Sequence, residues 1–437
     1  MTHVHLIGIS GSGLSAIARI LLEKGYKVSG SDRKLTPLSL SLVDAGALLF
    51  EGHLSENIKG ADIVVRSSAI PENNPELIAA HDADIPVLKR SEFLKQLLDG
   101  KKCIAVAGTH GKTTTTAMIA WILSESGWDP SYIIGGISSN LGGNAHAGDG
   151  EYFVIEADEY DRMFLGLDPY IAVVTNIEHD HPDCYPTPQE YESVFRQFVF
   201  QIQKGGLLVA CADNPGALNL SSEAASRGLR TKTYQLTRDH QFSLQVPGDH
   251  NRLNALAAIA VGEEVGISKK AAIESLEKFD GVGRRFELRG EVDGVTVIDD
   301  YAHHPSEIRA TLNAAHERYP DRQVWSVWQP HTYSRTRQLL PDYARAFSRS
   351  DYVIVTDIFA AREISPEDKF SSRDVAGAIT AQKTDPGHVL YIPTLDQVEK
   401  YLLDHLSLDD VLLILSAGDA DLLSSNLLIS LAERKKR

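Results

Sequence analysis

The stretch Gly108-Thr109-His110-Gly111-Lys112-Thr113-Thr114 decides the fold of this chain, because it joins a strand pattern to a helix pattern. A strand pattern over residues 101–107, apolar from residue 103 on, precedes it, and a helical run over residues 115–126 follows it. At such a turn, backbone N–H groups and a helix N-terminus bind phosphate. We expect Lys112 at the β- and γ-phosphates of a nucleotide and the Thr113 hydroxyl on Mg²⁺. All seven residues are therefore candidate ATP contacts, although Val106 stands where the general phosphate-loop pattern has glycine.

Short strands alternate with amphipathic helices along the rest of the chain, which predicts parallel sheets covered by helices. Strands are predicted at residues 3–7, 27–30 and 62–67, then at 101–107, 152–155, 171–175 and 207–211, and finally at 324–327, 352–356, 389–392 and 411–415. Helices are predicted at 251–265 and 269–279, and the glycines of residues 281–283 predict a linker. Asp293-Gly294 predicts a tight hairpin. We therefore expect three α/β domains, over residues 1–98, 99–282 and 283–437.

The composition is that of an acidic globular protein. The 437 residues include 43 Lys and Arg against 59 Asp and Glu, a formal charge of −16, with 43% hydrophobic residues. We expect neither a nucleic acid nor a membrane partner, because such a surface repels phosphate and anionic lipid. The basic run of residues 434–437 is expected to be a solvated tail. Three dispersed cysteines and the absence of a signal sequence or long apolar stretch predict a cytoplasmic protein. We expect a monomer or weak homodimer.

Acidic residues and histidines follow two of the predicted strands. Four acids lie within residues 156–161, and residues 176–183 contain two histidines among carboxylates. Ligands of open α/β sheets bind at the carboxyl ends of strands, and Mg²⁺ prefers oxygen ligands. Glu156 is the first acid that can reach the phosphate site. Zinc held by His179, His181 and Cys184 is an alternative, but we favour a magnesium role for His181.

A second glycine-rich turn, Gly8-Ile9-Ser10-Gly11-Ser12-Gly13, follows the first strand, and Asp32 follows the second. The spacing is similar to a dinucleotide fingerprint, except that Ser10 replaces its second glycine. It is compatible with NAD, with another nucleoside diphosphate, or with a tight turn alone.

Further motifs occur in one order along the chain, and with the phosphate loop they form a set that resembles the Mur ligase family. They are Glu156-Ala157-Asp158-Glu159, Asn176-Ile177-Glu178-x-Asp180-His181, His250-Asn251-x-x-Asn254-Ala255, Gly283-Arg284-Arg285-Phe286 and Asp299-Asp300-Tyr301-Ala302-His303-His304-Pro305. The resemblance covers essentially the whole chain.

The resemblance implies a Rossmann-like N-terminal domain for a UDP-linked substrate, a central P-loop ATPase domain, and a Rossmann-like C-terminal domain that brings the amino acid and closes the cleft. It implies the magnesium ligands Thr113, Glu156 and His181. The implied catalytic residues are Lys112, Glu156, His181 and Arg285, and the implied nucleotide contacts beyond the loop are Asn251, Asn254, Arg285 and Asp300. The implied substrate contacts are Gly11, Ser12, Gly13, Asp32, Ser67, Tyr301, His303, His331 and Arg335.

The implied reaction joins L-alanine to the carboxylate of UDP-N-acetylmuramate through an acyl phosphate, releasing ADP and phosphate, in peptidoglycan precursor synthesis. Other Mur ligases carry a carbamoylated lysine about fifteen residues beyond the metal histidine; residues 194–197 contain none, as in the alanine-adding branch. Thr332 replaces the arginine that usually follows His331, which leaves one substrate contact open.

Three alternatives remain. A tripeptide-recycling ligase would share the ATP site and UDP-N-acetylmuramate, but the short connection between residues 156 and 171 favours the alanine-adding branch. A nicotinamide-dependent oxidoreductase would rest on the N-terminal glycines alone. A non-catalytic nucleotide-binding regulator is disfavoured by the intact Lys112, Thr113, Glu156 and His181.

Overall fold

The computed structural model describes residues 1–237, 242–361, 363–365 and 367–434. The chain forms two compact units. The first unit comprises residues 1–179, 187–243 and 253–279, and the second comprises residues 180–186, 244–252 and 280–437. Within the described ranges, no helix is both long enough and apolar enough to span a membrane.

The N-terminal part of the first unit is a parallel five-stranded sheet in the order β3-β2-β1-β4-β5. Its strands are β1 (His3–Ile7), β2 (Lys27–Asp32), β3 (Leu48–Glu51), β4 (Ile63–Arg66) and β5 (Val87–Lys89). Its helices are α1 (Ser12–Glu23), α2 (Pro37–Leu40), α3 (Pro75–Asp82) and α4 (Arg90–Leu97), with a 3₁₀ turn at Ser55–Ile58. The strand order reverses between β1 and β4, which creates a crevice at their carboxyl ends.

The middle part of the first unit is a seven-stranded sheet in the order β12-β11-β10-β6-β9-β7-β8. Its strands are β6 (Lys102–Ala107), β7 (Ser131–Ser138), β8 (Gly143–His146), β9 (Tyr152–Glu156), β10 (Ile171–Val174), β11 (Leu207–Cys211) and β12 (Arg230–Tyr234). The helices of this part of the chain are α5 (Lys112–Glu125), α6 (Pro188–Val199), α7 (Pro215–Ser226), α8 (Asp249–Glu264) and α9 (Lys269–Leu276), with a 3₁₀ segment at Tyr160–Gly166. Only β8 pairs antiparallel among these strands. Strand β6, which leads into the glycine loop, lies between β9 and β10.

The second unit contains a six-stranded sheet in the order β13-β14-β18-β15-β16-β17. Its strands are β13 (Glu287–Val292), β14 (Val295–Asp300), β15 (Val324–Gln329), β16 (Tyr352–Val355), β17 (Val389–Tyr391) and β18 (Val411–Ser416). Its helices are α10 (Pro305–Arg318), α11 (Tyr333–Gln338), α12 (Leu340–Ala346), α13 (Ser372–Thr380), α14 (Leu395–His405) and α15 (Asp421–Arg434), with a 3₁₀ turn at Pro386–His388. Buried apolar clusters cover both faces of this sheet.

The three predicted α/β sheets are confirmed, with two of them in the first unit. The Asp293-Gly294 hairpin is also confirmed, since both residues have positive φ and join the antiparallel β13 and β14. Helix α5 begins at Lys112, three residues earlier than predicted, because Gly111 takes a left-handed φ of 81° and admits the helix directly. Of the predicted basic tail, residues 435–437 lie outside the described residues.

Candidate functional site

The glycine loop between β6 and α5 packs too tightly for larger residues. A Cβ on Gly111 would lie 2.5 Å from Oδ1 of Asn254, and one on Gly108 would collide with the Thr175 hydroxyl. The sequence therefore needs glycine at both positions. Asn254, a predicted adenine contact on α8, thus packs beside the phosphate loop in this structure.

The loop is fastened to the residues that follow β10. The backbone N–H of Thr109 donates to the carbonyl of Asn176 (3.1 Å), and that of His110 donates to the Asn176 side chain (2.8 Å). The Asn176 amide donates back to the carbonyl of His110 (3.1 Å). The first-turn N–H groups of α5, at Lys112, Thr113 and Thr114, have no preceding carbonyl within the helix. These are the groups that the loop geometry offers to a phosphate.

Lys112 is the charged centre of this loop. Its ammonium donates to the carbonyls of Gly108 (2.6 Å) and Thr109 (3.2 Å) and lies 2.8 Å from Oε2 of Glu159. Burial alone would lower the pKa of Lys112, but Glu159, with Asp158 and Glu156, raises it above its usual value. The lysine is therefore held as a cation at the place where the loop would receive phosphate oxygens.

Two predicted magnesium ligands lie in the first unit at neighbouring element ends. Thr113 is buried in the first turn of α5, and Glu156 ends β9, the strand beside β6. Oε2 of Glu156 accepts a bond of 2.9 Å from the backbone N–H of Gly135, where a Cβ would collide with that carboxylate. A hydroxyl and an oriented carboxylate form a hard-oxygen donor set, which fits Mg²⁺. The third predicted ligand, His181, belongs to the second unit.

The N-terminal glycine turn lies at the crevice between β1 and β4. Gly8 has a φ of 91° and approaches Ser67, which follows β4, while Gly11 and Ser12 lead into α1. Asp32 accepts from the backbone N–H groups of Ser10 (3.0 Å) and Arg33 (2.8 Å). The structure thus brings Gly11, Ser12, Ser67 and Asp32 to one edge of the N-terminal sheet.

Arg90, which sequence reasoning did not single out, connects the N-terminal glycine turn to the acidic segment after β9. Its guanidinium occupies the space where a Cβ on Gly13 would lie, so a larger residue at position 13 would displace it. The same guanidinium lies 3.7 Å from the carboxylate of Asp158, in the acidic segment after β9. Burial lowers the pKa of Arg90, and Asp158 and Glu156 oppose that shift.

A buried ion pair organises the histidines of the second unit. Arg335 donates to Asp180 through Nε (2.8 Å) and Nη2 (3.4 Å), and both residues are almost fully buried. Its terminal nitrogens also donate to Nδ1 of His331 (3.1 Å) and of His181 (3.3 Å). Burial and the nearby Arg335 lower the pKa of His331 to about 4, so it stays neutral. The structure therefore brings together three predicted residues, His181, His331 and Arg335.

Tyr301 and His303 lie beside this cluster, after β14. Nδ1 of His303 donates to the carbonyl of Tyr301 (3.0 Å), and its ring centroid lies 6.0 Å from that of His331. Burial lowers the pKa of His303 to about 3. The guanidinium of Arg285 lies 4.9 Å from the Tyr301 ring centroid.

The turn that carries Arg285 has strained backbone and is held by hydrogen bonds to a carboxylate. Its neighbours Arg284 and Phe286 both have positive φ, 59° and 50°. Asp300 accepts from the backbone N–H groups of Phe286 and Ala302, both at 2.7 Å, and burial raises its pKa to about 6 against the opposing charge of Arg285. Strained backbone of this kind persists where the surroundings fix it, and it is concentrated at functional sites.

Two positions from the sequence analysis remain: a predicted nucleotide contact, Asn251, and the departure from the family pattern at Thr332. Asn251, at the start of α8, donates to the carbonyl of Pro247 (2.7 Å) within the second unit. Thr332, the departure from the expected arginine, has a φ of 63°, which is rare for a β-branched residue.

Sequence reasoning missed Glu159, Tyr191 and Asp180 as partners of the predicted residues. Tyr191 donates to Oε1 of Glu159 (3.1 Å) and lies 3.0 Å from the Thr109 hydroxyl. The only local signal was the excess of acids within residues 156–161 and 176–183, which does not show which of them is buried.

Comparisons with known proteins agree across the whole chain. Three family models match it: the Mur ligase family catalytic domain over residues 3–102, the Mur ligase middle domain over residues 106–241, and the Mur ligase glutamate ligase domain over residues 284–418. The UDP-N-acetylmuramate–L-alanine ligase of Desulforamulus reducens is 43% identical, covering 99% of this chain and 98% of the relative. That of Renibacterium salmoninarum is 47% identical over 82% of this chain and 83% of its own length.

Solved structures give the same result for the fold. A crystal structure of UDP-N-acetylmuramate-alanine ligase from Thermotoga maritima has a TM-score of 0.84 at 27% identity, covering all of both chains. A murein peptide ligase from Psychrobacter arcticus has a TM-score of 0.72, also at 27% identity, covering 99% of both chains.

Proposed function

The chain belongs to the Mur ligase family, and from that premise we propose that it uses ATP to join L-alanine to the carboxylate of UDP-N-acetylmuramate. The observation that carries this proposal is the loop between β6 and α5, where Lys112 is held as a cation over the start of a helix. The identity of the two joined substrates comes from relatives that are 43% and 41% identical over nearly the full length of this chain.

The first step brings two anions together. A carboxylate oxygen of UDP-N-acetylmuramate attacks the γ-phosphorus of ATP, the bond from that phosphorus to the β-phosphate oxygen breaks, and ADP leaves. The product is an acyl phosphate. Positioning and charge neutralisation account for most of the rate enhancement in phosphoryl transfer. Lys112 supplies a fixed positive charge, and the N–H groups at the start of α5 supply partial charges.

We propose that Thr113 and Glu156 hold Mg²⁺, with His181 as a third ligand. A magnesium ion bound there would neutralise charge on the β- and γ-phosphates. Within the chain, Gly135 fixes the direction of the Glu156 carboxylate. Arg335 donates to Nδ1 of His181 and so fixes the orientation of that ring. Because this bond places the proton of a neutral ring on Nε2, magnesium binding by His181 would require that proton or the Arg335 contact to be given up.

The second step forms the amide. The neutral amine of L-alanine attacks the carbonyl carbon of the acyl phosphate, the bond from that carbon to the phosphate oxygen breaks, and the departing inorganic phosphate takes up the proton that the nitrogen loses. We propose that Arg285 and Asp300 act on the nucleotide and that Tyr301, His303 and His331 surround the reacting groups. The low pKa values of His303 and His331, about 3 and about 4, keep both rings uncharged at neutral pH. They therefore add no positive charge that would repel an ammonium substrate.

The N-terminal crevice is the proposed site for the UDP group. Gly11, Ser12 and Gly13 open α1, whose N-terminal N–H groups suit a diphosphate, and Asp32 and Ser67 flank them. Because ATP and UDP-linked sugars are cytoplasmic metabolites, we propose a cytoplasmic location.

The test is phosphate release from Mg-ATP with purified protein and UDP-N-acetylmuramate. Parallel reactions contain L-alanine, glycine, L-serine or the L-Ala-γ-D-Glu-diamino-acid tripeptide. We expect release that requires both UDP-N-acetylmuramate and L-alanine, with a new amide product by mass spectrometry. Turnover with the tripeptide alone would assign the chain to the recycling branch. No turnover with any amine would overturn the proposed substrates.

Lys112→Ala should abolish ligation, and full activity in that variant would contradict the role of the loop.

A further inference from the structure

A group of buried side chains contacts Lys112 in addition to its backbone partners. Glu159 is fully buried, and its carboxylate oxygens lie 3.1 Å (Oε1) and 2.8 Å (Oε2) from the Lys112 ammonium. The buried Tyr191 of α6 donates to Oε1 (3.1 Å). Tyr191 in turn lies 3.0 Å from the hydroxyl of Thr109, which donates to the carbonyl of Glu178 (2.8 Å). Glu159 is thus connected both to the lysine and to the loop that the lysine serves.

We propose that Glu159, oriented by Tyr191, is a positioning residue that aims the Lys112 ammonium at the transferred phosphate. An ammonium has three donors. In this structure two of them reach the carbonyls of Gly108 and Thr109, and the third reaches Glu159. The two carbonyls are the partners that phosphate oxygens replace when a nucleotide binds, while Glu159 remains. The proposal rests on the proposed function for the identity of the reaction.

The charge of Glu159 predicts how its removal affects the binding of ATP and the catalytic rate separately. The Glu159 carboxylate is an anion near a polyphosphate, so it does not itself favour ATP binding. Its benefit is the fixed direction of Lys112, which matters most when charge moves in the transition state. Removing the Glu159 charge should therefore lower kcat without raising the KM for ATP. A residue that only maintained the fold of the loop would weaken ATP binding and thermal stability as well.

The experiment measures kcat, the KM for ATP and direct Mg-ATP binding for wild type, Glu159→Gln, Glu159→Asp and Tyr191→Phe. Glu159→Gln should lose about tenfold or more in kcat, with the KM and the dissociation constant for Mg-ATP unchanged or lower. Glu159→Asp keeps the charge and should restore part of the loss. Asp161→Asn is the matched control, because Asp161 is exposed in the same segment and Asn tolerates its positive φ.

A double-mutant cycle tests the connection to Tyr191. Because Tyr191 acts through Glu159, Tyr191→Phe should lower kcat in the wild type but add nothing in the Glu159→Gln background. The proposal is overturned if Glu159→Gln keeps wild-type kcat, if its Mg-ATP dissociation constant rises as much as kcat falls, or if the two substitutions are additive.

The outcomes also separate this inference from the proposed function. If the wild-type protein fails to ligate L-alanine, the proposed substrates fail. The cycle is then read from kcat with whichever amine supports turnover. If no amine does, it is read from the ATPase rate of the protein with Mg-ATP alone, and an equal ATPase rate in wild type and Glu159→Gln overturns the inference.

Discussion

The buried pair of Asp180 and Arg335 should support much of the stability of the second unit, and Asp180→Asn tests this. The substitution keeps the shape of the side chain but removes its charge. Arg335 then remains as a buried cation that contacts the new amide and the imidazoles of His331 and His181. Burial alone would raise the pKa of Asp180, but Arg335 holds it well below its usual value, so the wild-type residue is ionised at neutral pH.

The expected cost follows from the geometry of the pair. Breaking a buried pair by removing one partner typically costs about 3–5 kcal/mol. The two imidazole acceptors and the amide oxygen that the substitution introduces retain part of the hydrogen bonding, so we expect about 3 kcal/mol. For a unit of this size that corresponds to a loss of roughly 6–12 °C in the melting temperature.

Differential scanning calorimetry of the full chain provides the assay. Asp183→Asn, which replaces an exposed acid in the same segment, is the control and should melt close to wild type. The double variant Asp180→Asn with Arg335→Met removes both charges and should lose less than the sum of the two single losses. The reasoning would be refuted by an Asp180→Asn variant that melts within about 2 °C of wild type, or by strict additivity.

Three further predictions concern single positions. Gly111→Ala should weaken Mg-ATP binding, measured by titration, about tenfold or more, because it combines an unfavourable φ with displacement of Asn254. The control is Gly127→Ala, at a position that has a φ of 75° and no neighbouring atom within 4 Å of the added Cβ; it should leave the Mg-ATP affinity unchanged. Burial lowers the pKa of His250 to about 4, so its stabilising contribution is present above pH 6.5 and is lost as the pH falls towards 4. Wild type should therefore lose unfolding free energy between pH 7.5 and pH 5, and in His250→Gln this loss should be smaller by about 1–2 kcal/mol. Urea unfolding at the two pH values measures the difference. Thr332→Gly should raise the unfolding free energy by about 1 kcal/mol, since relief of backbone strain exceeds the entropy cost of glycine; a destabilised variant would contradict this account.

Local patterns predicted the most buried parallel strands and the loop, but not β3, β5, β7, β8 or β12, because burial on both faces of a parallel sheet produces continuous apolar runs. The run over residues 207–211 became β11 without any shift. No strand or helix was predicted within residues 213–250, yet this stretch contains α7 and β12. Strand β12 lies at the edge of its sheet, where a half-exposed polar sequence has no distinct periodicity.

Site residues could be predicted where their place at the end of a strand or the start of a helix is enough to bring them to the site. Lys112 follows strand β6 and Glu156 ends strand β9, and the ends of adjacent parallel strands lie at one edge of the sheet. The burial of Glu159 depends instead on Tyr191, 32 residues away, and that of Asp180 depends on Arg335, 155 residues away. A contact between segments that are distant in the sequence produces no local pattern in either segment. Tyr191 and Arg335 could therefore not be identified as the partners of these acids from the sequence.

The same two pairs explain how an acidic chain prepares cationic groups for anionic substrates. With 59 acidic and 43 basic residues, composition alone cannot show which carboxylates matter. Burial does show it, because an ionised carboxylate is buried only when a partner compensates its desolvation. Glu159 and Asp180 each meet this condition against a cation, Lys112 and Arg335. Lys112 is thereby held as a cation before a phosphate arrives, while Arg335 is paired with Asp180 and donates to Nδ1 of His181. Substituting Arg335 should consequently impair the ligation rate through the magnesium dependence of the reaction rather than through the KM for L-alanine, and a rise confined to that KM would reverse this assignment.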